Sequence, residues 1–318
     1  MSSNRNIVIA FDTSNYTTSF AVADINGEVI ENLKLPLPVN EGERGLRQSE
    51  ALFHHVNRLP DLLDRYTKEG NIVAVGYSKA PRDADGSYMP CFLAGKCAAT
   101  TASKMLDVPL YSFSHQSGHI MAALYSAKHL DLVSERFFAF HVSGGTTEAL
   151  LVSPCENNVF SVEKIGGTLD LNAGQVIDRV GVMMGINFPC GPELEKLALE
   201  YDGKADPYKL SVKGTECNLS GLENKAAKLF NETGDKARVA KFVLTAVSKS
   251  LEKITLNIFE KYGKLPVIYA GGVMSCSLIK NNLSKYGEFA MPAFSADNAA
   301  GCAVLTQMEY KKYKEKLI

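Results

Sequence analysis

Short apolar runs separated by polar, glycine-bearing turns alternate along the chain with longer stretches of helical periodicity. The first run, Ile7 to Phe11, reads as a buried strand. The polar segment Asp12-Thr13-Ser14-Asn15-Tyr16-Thr17-Thr18 reads as a turn. A second strand is predicted over 19–23, and a third over 28–35 after the Asn26-Gly27 turn signal. A helix over 48–68, interrupted near Pro60, comes next. It is followed by a strand over 73–77, a small-residue helix over 91–106, a strand over 110–113 and a helix opening at Ser114.

The pattern then starts again. Phe137 to Val142 reads as a strand, Ser143-Gly144-Gly145-Thr146-Thr147 as a turn, and 148–153 and 158–163 as strands. Helices are predicted over 171–185, 192–202, 219–231 and 236–262. A strand over 266–270, a helix from 275, a short strand over 288–291 and a last helix from Asp297 complete the chain. Both halves run strand, polar turn, strand, strand, helices. Such repetition points to two related lobes, divided at 1–130 and 131–318.

The bulk numbers narrow the picture. With 318 residues, 46% hydrophobic and 22% charged, the chain is an ordinary globular sequence of two-domain size. A net charge of -1 gives no global basic field, so nucleic acid would have to meet a local patch. Seven cysteines, an odd number with no C-x-x-C pair, argue against a disulfide framework or a cysteine-ligated zinc site. The polar start and the lack of a membrane-length apolar run predict a cytoplasmic protein with no membrane contact.

Several residues are candidates for chemistry. Glycines in the Ser143–Thr147 turn let backbone approach a ligand, and its amides and hydroxyls suit phosphate oxygens, although a plain hairpin has the same look. Asp12-Thr13-Ser14 takes the equivalent place in the first half. Gly271 and Gly272, between a strand and a helix, suit a flat adenosine. His115 and His119, at i and i+4 on a helix capped by Ser114, present both rings on one face and can share a metal ion. The adjacent pair His54-His55 is a poor chelate, since neighbouring residues point to different sides of a helix. Gln116 after the first histidine excludes the H-E-x-x-H arrangement of zinc proteases. Asp297 is either a helix cap or a third, oxygen, ligand. Asp178 is either a ribose ligand or a partner of a surface base, and Gly191 permits close ligand contact.

The ordered set strand-D-T-S, H-x-x-x-H, V-S-G-G-x-T-E, A-G-x-x-x-D, P-x-G-P, L-S-G-L, G-G-V and D-N-A-A resembles the TsaD family, also called the glycoprotease family, over nearly the whole chain. The resemblance implies an α/β, duplicated actin-like ATPase fold, two lobes with a nucleotide cleft between them. It implies an acyltransferase that moves threonylcarbamoyl from its adenylate to N6 of the anticodon-adjacent adenosine of tRNA. It implies one iron or zinc ion on His115, His119 and Asp297, with Asp12, His115 and His119 as catalytic positions. ATP or threonylcarbamoyl-AMP would lie against Val142, Ser143, Gly144, Gly145, Asp178, Gly191, Gly271, Gly272 and Cys276. A related actin-like partner subunit, or a second copy of the chain, is implied as well.

The sequence departs from the family pattern at the rim. Asn15 to Thr18 replace an acidic run, Thr146 replaces a histidine, Leu171 and Gln175 replace acidic residues, and Cys276 replaces an asparagine. The stretch Asp83 to Pro90 looks inserted. These changes suggest a divergent paralogue. They keep open a carbamoyltransferase with a small-molecule acceptor and an inactive nucleotide-binding scaffold. A metallopeptidase ranks last, because the glutamate base is missing.

Overall fold

The computed structural model describes residues 5–14, 16–38, 46–67, 70–156, 158–296 and 298–316. The chain forms two compact units. Unit 1 comprises 1–130, 155–160 and 293–318, and unit 2 comprises 131–154 and 161–292.

Unit 1 is built on β1 (Asn6–Ser14), β2 (Thr17–Asp24), β3 (Val29–Pro36), α1 (Gln48–Leu63), β4 (Asn71–Ala80), α2 (Phe92–Leu106), β5 (Leu110–Ser114) and α3 (His115–Ala127). Its sheet has the order β3-β2-β1-β4-β5. The first three strands pair antiparallel, and β1, β4 and β5 pair parallel. The period-2 alternation of a strand decides what each side meets. Ile7, Ile9, Phe11, Val75 and Tyr77 pack in one cluster with Leu59 and Leu62 of α1 and Ala94 and Ala99 of α2. The intervening positions Val8, Ala10, Asp12, Gly76 and Ser78 belong to the opposite face.

Unit 2 contains β6 (Phe137–Val142), β7 (Thr147–Pro154), β8 (Phe160–Thr168), α4 (Ala173–Met183), α5 (Gly191–Glu200), β9 (Val212–Lys213), β10 (Glu216–Cys217), α6 (Ser220–Thr233), α7 (Lys236–Tyr262), β11 (Val267–Ala270), α8 (Ser277–Leu283) and β12 (Glu288–Phe289). The sheet order is β12-β11-β6-β7-β8-β10-β9. Within it, β8-β7-β6-β11-β12 repeats the β3-β2-β1-β4-β5 order of unit 1, which is the duplicated topology the repeat predicts. The long helix α7 buries Val239, Val243, Val247, Leu251, Ile254 and Ile258, a stripe at three- and four-residue spacing, against Phe138, Phe140 and Tyr269. The Tyr269 hydroxyl, deep in this core, meets Thr255 Oγ1 at 3.0 Å.

After α9 (Pro292–Ser295) the chain returns to unit 1 with α10 (Ala300–Glu315). A single division at 130/131 does not describe this return. It happens because α10 packs on α3 and on β1, β2 and β4, and buries Ala300 to Gln307 there. The packing is backbone-close. A Cβ at Gly301 would stand 1.9 Å from the Gly118 carbonyl oxygen, and one at Gly76 would collide with the Thr306 hydroxyl.

Four further expectations shift. Asp12, Thr13 and Ser14 are the end of β1 rather than a turn, because the ladder with β2 runs on through Asp12↔Ser19, Thr13↔Thr18 and Ser14↔Thr17. Pro60 lies inside α1 without ending it at that point, since the helix runs on to Leu63. The strand expected over 158–163 continues to Thr168. The last helix starts at Ala300, three residues beyond Asp297.

Candidate functional site

Each unit carries a cluster of the predicted residues. In unit 1 the cluster grows from the junction of β5 and α3. Ser114 ends the strand in extended conformation, and its hydroxyl accepts the Ser117 N–H at 3.1 Å, capping the helix as predicted. The first turn therefore begins at His115. One turn later comes His119, and the two imidazole rings meet edge to face with centroids 4.3 Å apart. Nδ1 of His115 lies 2.7 Å from Oδ2 of Asp12. A carboxylate can only accept, so the ring nitrogen is the donor and the neutral imidazole carries its lone pair on Nε2. Carboxylate-held histidines of this kind are the usual support of a metal ligand.

Asp12 is fully buried and tightly held. Its Oδ1 accepts the Ser14 N–H at 3.0 Å, and its Oδ2 also accepts the Ser78 hydroxyl. On the other face of β1, Thr13 donates to the Cys91 carbonyl at 2.9 Å and accepts from the Gly95 amide at 3.1 Å, fixing the strand end to α2. Two buried thiols stand near the Asp12 charge. Cys91 is pushed up to about 12 by burial and then by Asp12, and Cys302 well above the ordinary thiol value for the same reasons. Both stay protonated at neutral pH, which leaves the imidazoles as the ligand chemistry of this cluster.

The third ligand implied by the resemblance, Asp297, lies outside the described residues. Among the described residues no group of three His, Cys, Asp or Glu side chains is arranged to hold a metal. The flank that follows Asp297 is firmly placed. Buried Asn298 accepts the Ala300 N–H at 3.0 Å and donates to the Ala296 carbonyl at 2.6 Å. The two imidazoles, the carboxylate behind one of them and this anchored flank fit a metal with nitrogen and oxygen ligands.

In unit 2 the cluster surrounds the Ser143–Thr146 turn between β6 and β7. The Ser143 hydroxyl accepts the amides of Gly145 and Thr146 at 3.3 and 3.2 Å, and Ser143 N donates to the Thr146 carbonyl at 2.7 Å. Nothing lies within 4 Å of where a Cβ would stand on Gly144 or Gly145, so this turn presents bare backbone. Gly174 backs it, donating its N–H to the Ser143 carbonyl at 3.2 Å. A Cβ on Gly174 would come within 2.6 Å of the Gly144 nitrogen. Gly271 has φ +103°, and a Cβ there would meet the Val142 carbonyl oxygen at 2.2 Å. The structure thus brings Val142, Ser143, Gly144, Gly145 and Gly271 together, with Gly174 as an addition. The motif A-G-x-x-x-D contains that glycine, and the two-glycine contact is its physical reason.

Asp178 and Gly191 form a second group. Asp178 Oδ1 accepts the Cys190 N–H at 2.8 Å, one residue before Gly191 opens α5. Burial raises the Asp178 carboxyl above its ordinary value, and the Cys190 N–H opposes the rise. The neighbouring base, Arg179, pairs with Glu223 instead, at 3.2 Å. Gly272 and Cys276 bracket the 3-10 turn before α8, where Glu195 accepts the Ser277 N–H at 2.7 Å. Burial raises the Cys276 thiol. The rim substitution Gln175 has a local task, since its Oε1 accepts the Asn172 N–H at 3.0 Å in a capping box. His55 is a core histidine bonded to Thr18 at 2.8 Å, consistent with a poor chelate.

Ser78 is the residue that sequence reasoning missed. The available signal was a hydroxyl at the carboxyl end of a parallel strand of apolar residues, where ligand sites of α/β sheets are built.

The two units with matching sheet order define an actin-like ATPase-fold protein. The chain aligns over 96% of its length with nucleotide-bound HypF at a TM-score of 0.59 and 14% identity, covering 47% of that chain. It also aligns over 98% of its length with the 2-hydroxyisocaproyl-CoA dehydratase activator of Clostridium difficile, solved with ADPNP, at a TM-score of 0.53 and 12% identity, covering 97% of that chain. The family profile of TsaD, tRNA N6-adenosine threonylcarbamoyltransferase, matches residues 39–304, and the chain belongs to that family. The tRNA N6-adenosine threonylcarbamoyltransferase of Methanopyrus kandleri is 28% identical over 307 residues, 92% of this chain and 85% of the relative. No helix among the described residues is long and apolar enough to cross a membrane.

Proposed function

We propose that this chain transfers the threonylcarbamoyl group from threonylcarbamoyl-adenylate to N6 of the anticodon-adjacent adenosine of tRNA. The observation that carries the reading is the family match over 39–304, which spans both the His115–His119 cluster and the Ser143 turn. It does not favour the small-molecule or scaffold readings. In the transfer, the adenosine N6 attacks the carbamoyl carbon and loses a proton. The new N–C bond replaces the bond from that carbon to the phosphate oxygen, and AMP leaves.

His115, His119 and Asp297 would hold an iron or zinc ion, which when bound supplies a Lewis acid for the carbamoyl oxygen. Asp12 holds the His115 ring. The bare backbone at Gly144 and Gly145 would take the adenylate phosphate, and Gly271 and Gly272 its adenosine, with Asp178 and Gly191 beside the ribose and Cys276 closing the nucleotide set. A cytoplasmic location and a related actin-like partner, or a second copy of the chain, accompany this reading.

The test is transfer of labelled threonylcarbamoyl from the adenylate to tRNA, with the family's partner proteins present, for wild type and His115→Ala. Modified tRNA that depends on His115 supports the reading. Absence of product with wild type, while adenylate binds, would sink it.

A further inference from the structure

The carboxylate behind His115 is itself oriented by a second residue. Asp12 Oδ2 receives two hydrogen bonds, one from His115 Nδ1 at 2.7 Å and one from the Ser78 hydroxyl on β4. Ser78 is 1% exposed. Its single proton is committed to Asp12. The Cys302 thiol on α10, near the Asp12 charge, is completely buried and remains protonated.

Three elements thus meet at one oxygen: the Ser78 hydroxyl on β4 and the His115 N–H on α3 both donate to Asp12 Oδ2 on β1. Strand periodicity explains why the members meet. Gly76 and Ser78 share one face of β4, and Thr306 and Cys302 share one face of α10. The Gly76 backbone lies against Thr306, which sets Cys302 one helical turn away at Ser78. Oδ1 of Asp12 is pinned separately by the Ser14 N–H. With a donor fixed on each oxygen, the carboxylate plane cannot rotate.

We infer that Ser78 is a positioning residue for His115: its hydroxyl fixes the carboxylate oxygen that keeps the His115 ring in the Nδ1–H tautomer and at one orientation. The tautomer part stands without any metal. The consequence for metal affinity rests on the metal site proposed above.

The test compares Ser78→Thr with Ser78→Val, two variants of nearly equal shape that differ in the hydroxyl. In metal-free protein, 15N NMR of the His115 ring, at a pH where imidazole is neutral, reports the tautomer. Competition with a chelator gives the dissociation constant for Zn2+ and for Co2+. Wild type and Ser78→Thr should show the proton on Nδ1 and affinities within about threefold of each other. Ser78→Val should show a mixed tautomer and about 10–100-fold weaker binding, the range found when support behind a ligating histidine is lost.

A wild-type ring with its proton on Nε2 overturns the inference, whether or not the variants fold. A folded Ser78→Val with wild-type tautomer and affinity overturns it too. If wild type binds neither metal yet Ser78→Val alters the tautomer, the positioning role stands and the metal assignment falls.

Discussion

Oδ2 of Asp12 sits 2.7 Å from Nδ1 of His115, joining the end of the first strand to the first turn of a helix about a hundred residues later. Asp12→Asn removes the charge from this pair and leaves one acceptor oxygen for two ends: with that oxygen toward His115 and Ser78, the amide NH2 confronts the Ser14 N–H. Metal affinity should fall about 10–100-fold. Transfer to tRNA should fall with it and recover in part at high metal concentration. Isothermal titration with Zn2+ and a transfer assay at two metal concentrations check this. Equal affinity in the two proteins would dismiss the supporting role of Asp12.

Gly144 and Gly174 touch, yet substitution should affect them differently. Gly174→Ala places a Cβ 2.6 Å from the Gly144 nitrogen and 2.7 Å from the Ser143 carbonyl carbon, both backbone atoms that cannot step aside. About 1–3 kcal/mol of stability should be lost, and adenylate binding with it. Gly144→Ala meets open space, so stability should stay within about 0.5 kcal/mol while adenylate binding weakens. Thermal melting with and without AMP separates the two. Unchanged AMP affinity in Gly144→Ala would remove this turn from the proposed nucleotide site.

Gly301 tests the packing of α10 on α3. Its Cβ would stand 1.9 Å from the oxygen of Gly118, which lies between His115 and His119 in sequence. Gly301→Ala should force the helices apart, costing about 1–3 kcal/mol. The His115–His119 cluster should lose metal affinity more than the Ser143 turn loses AMP affinity. Equal losses at both would show general unfolding instead.

Asp170 supplies the pH prediction. Burial alone would raise its carboxyl, but the Ser220 hydroxyl and the N–H groups of Leu219, Leu171 and Ser220 outweigh it and hold the group below the ordinary 3.8. A depressed carboxyl contributes stability that is present above the unfolded value and is lost as pH falls through the folded one. Asp170→Asn should therefore cost about 1 kcal/mol at neutral pH, modest because the side chain is exposed. The gap to wild type should close as pH falls below the ordinary 3.8 and through the lowered folded value, read in urea denaturation series. A gap that is constant with pH would assign the effect to shape rather than charge.

What the sequence made legible was local. Ser114 as a cap, the i and i+4 histidines and the bare Ser143 turn follow from residues a few positions apart. The duplication follows from the repeated strand-turn-strand-strand pattern, but the strand order of each sheet does not. Nonlocal contacts were hidden. Asp12 and Ser78 meet because β1 and β4 pair in a register that places Phe11 opposite Tyr77, and periodicity within either strand cannot supply that register. The return of α10 to the first unit was equally silent, since its buried face names no particular sheet. β9 and β10 have two residues each, too few to show alternation.

The late arrival of α10 sets an order of events on the ribosome. The strands of unit 1 emerge first, but the helix that covers Val8, Ala10 and Gly76 is made after the roughly 160 residues that separate α3 from α9. At bacterial-scale synthesis rates of about 5–20 residues per second, the nascent sheet waits about 8–30 seconds for that cover. Unit 2 has all its own strands and helices in hand before unit 1 does. The second half of the gene product is therefore the half that can finish folding first, and the first half is the one a nascent-chain chaperone would find exposed.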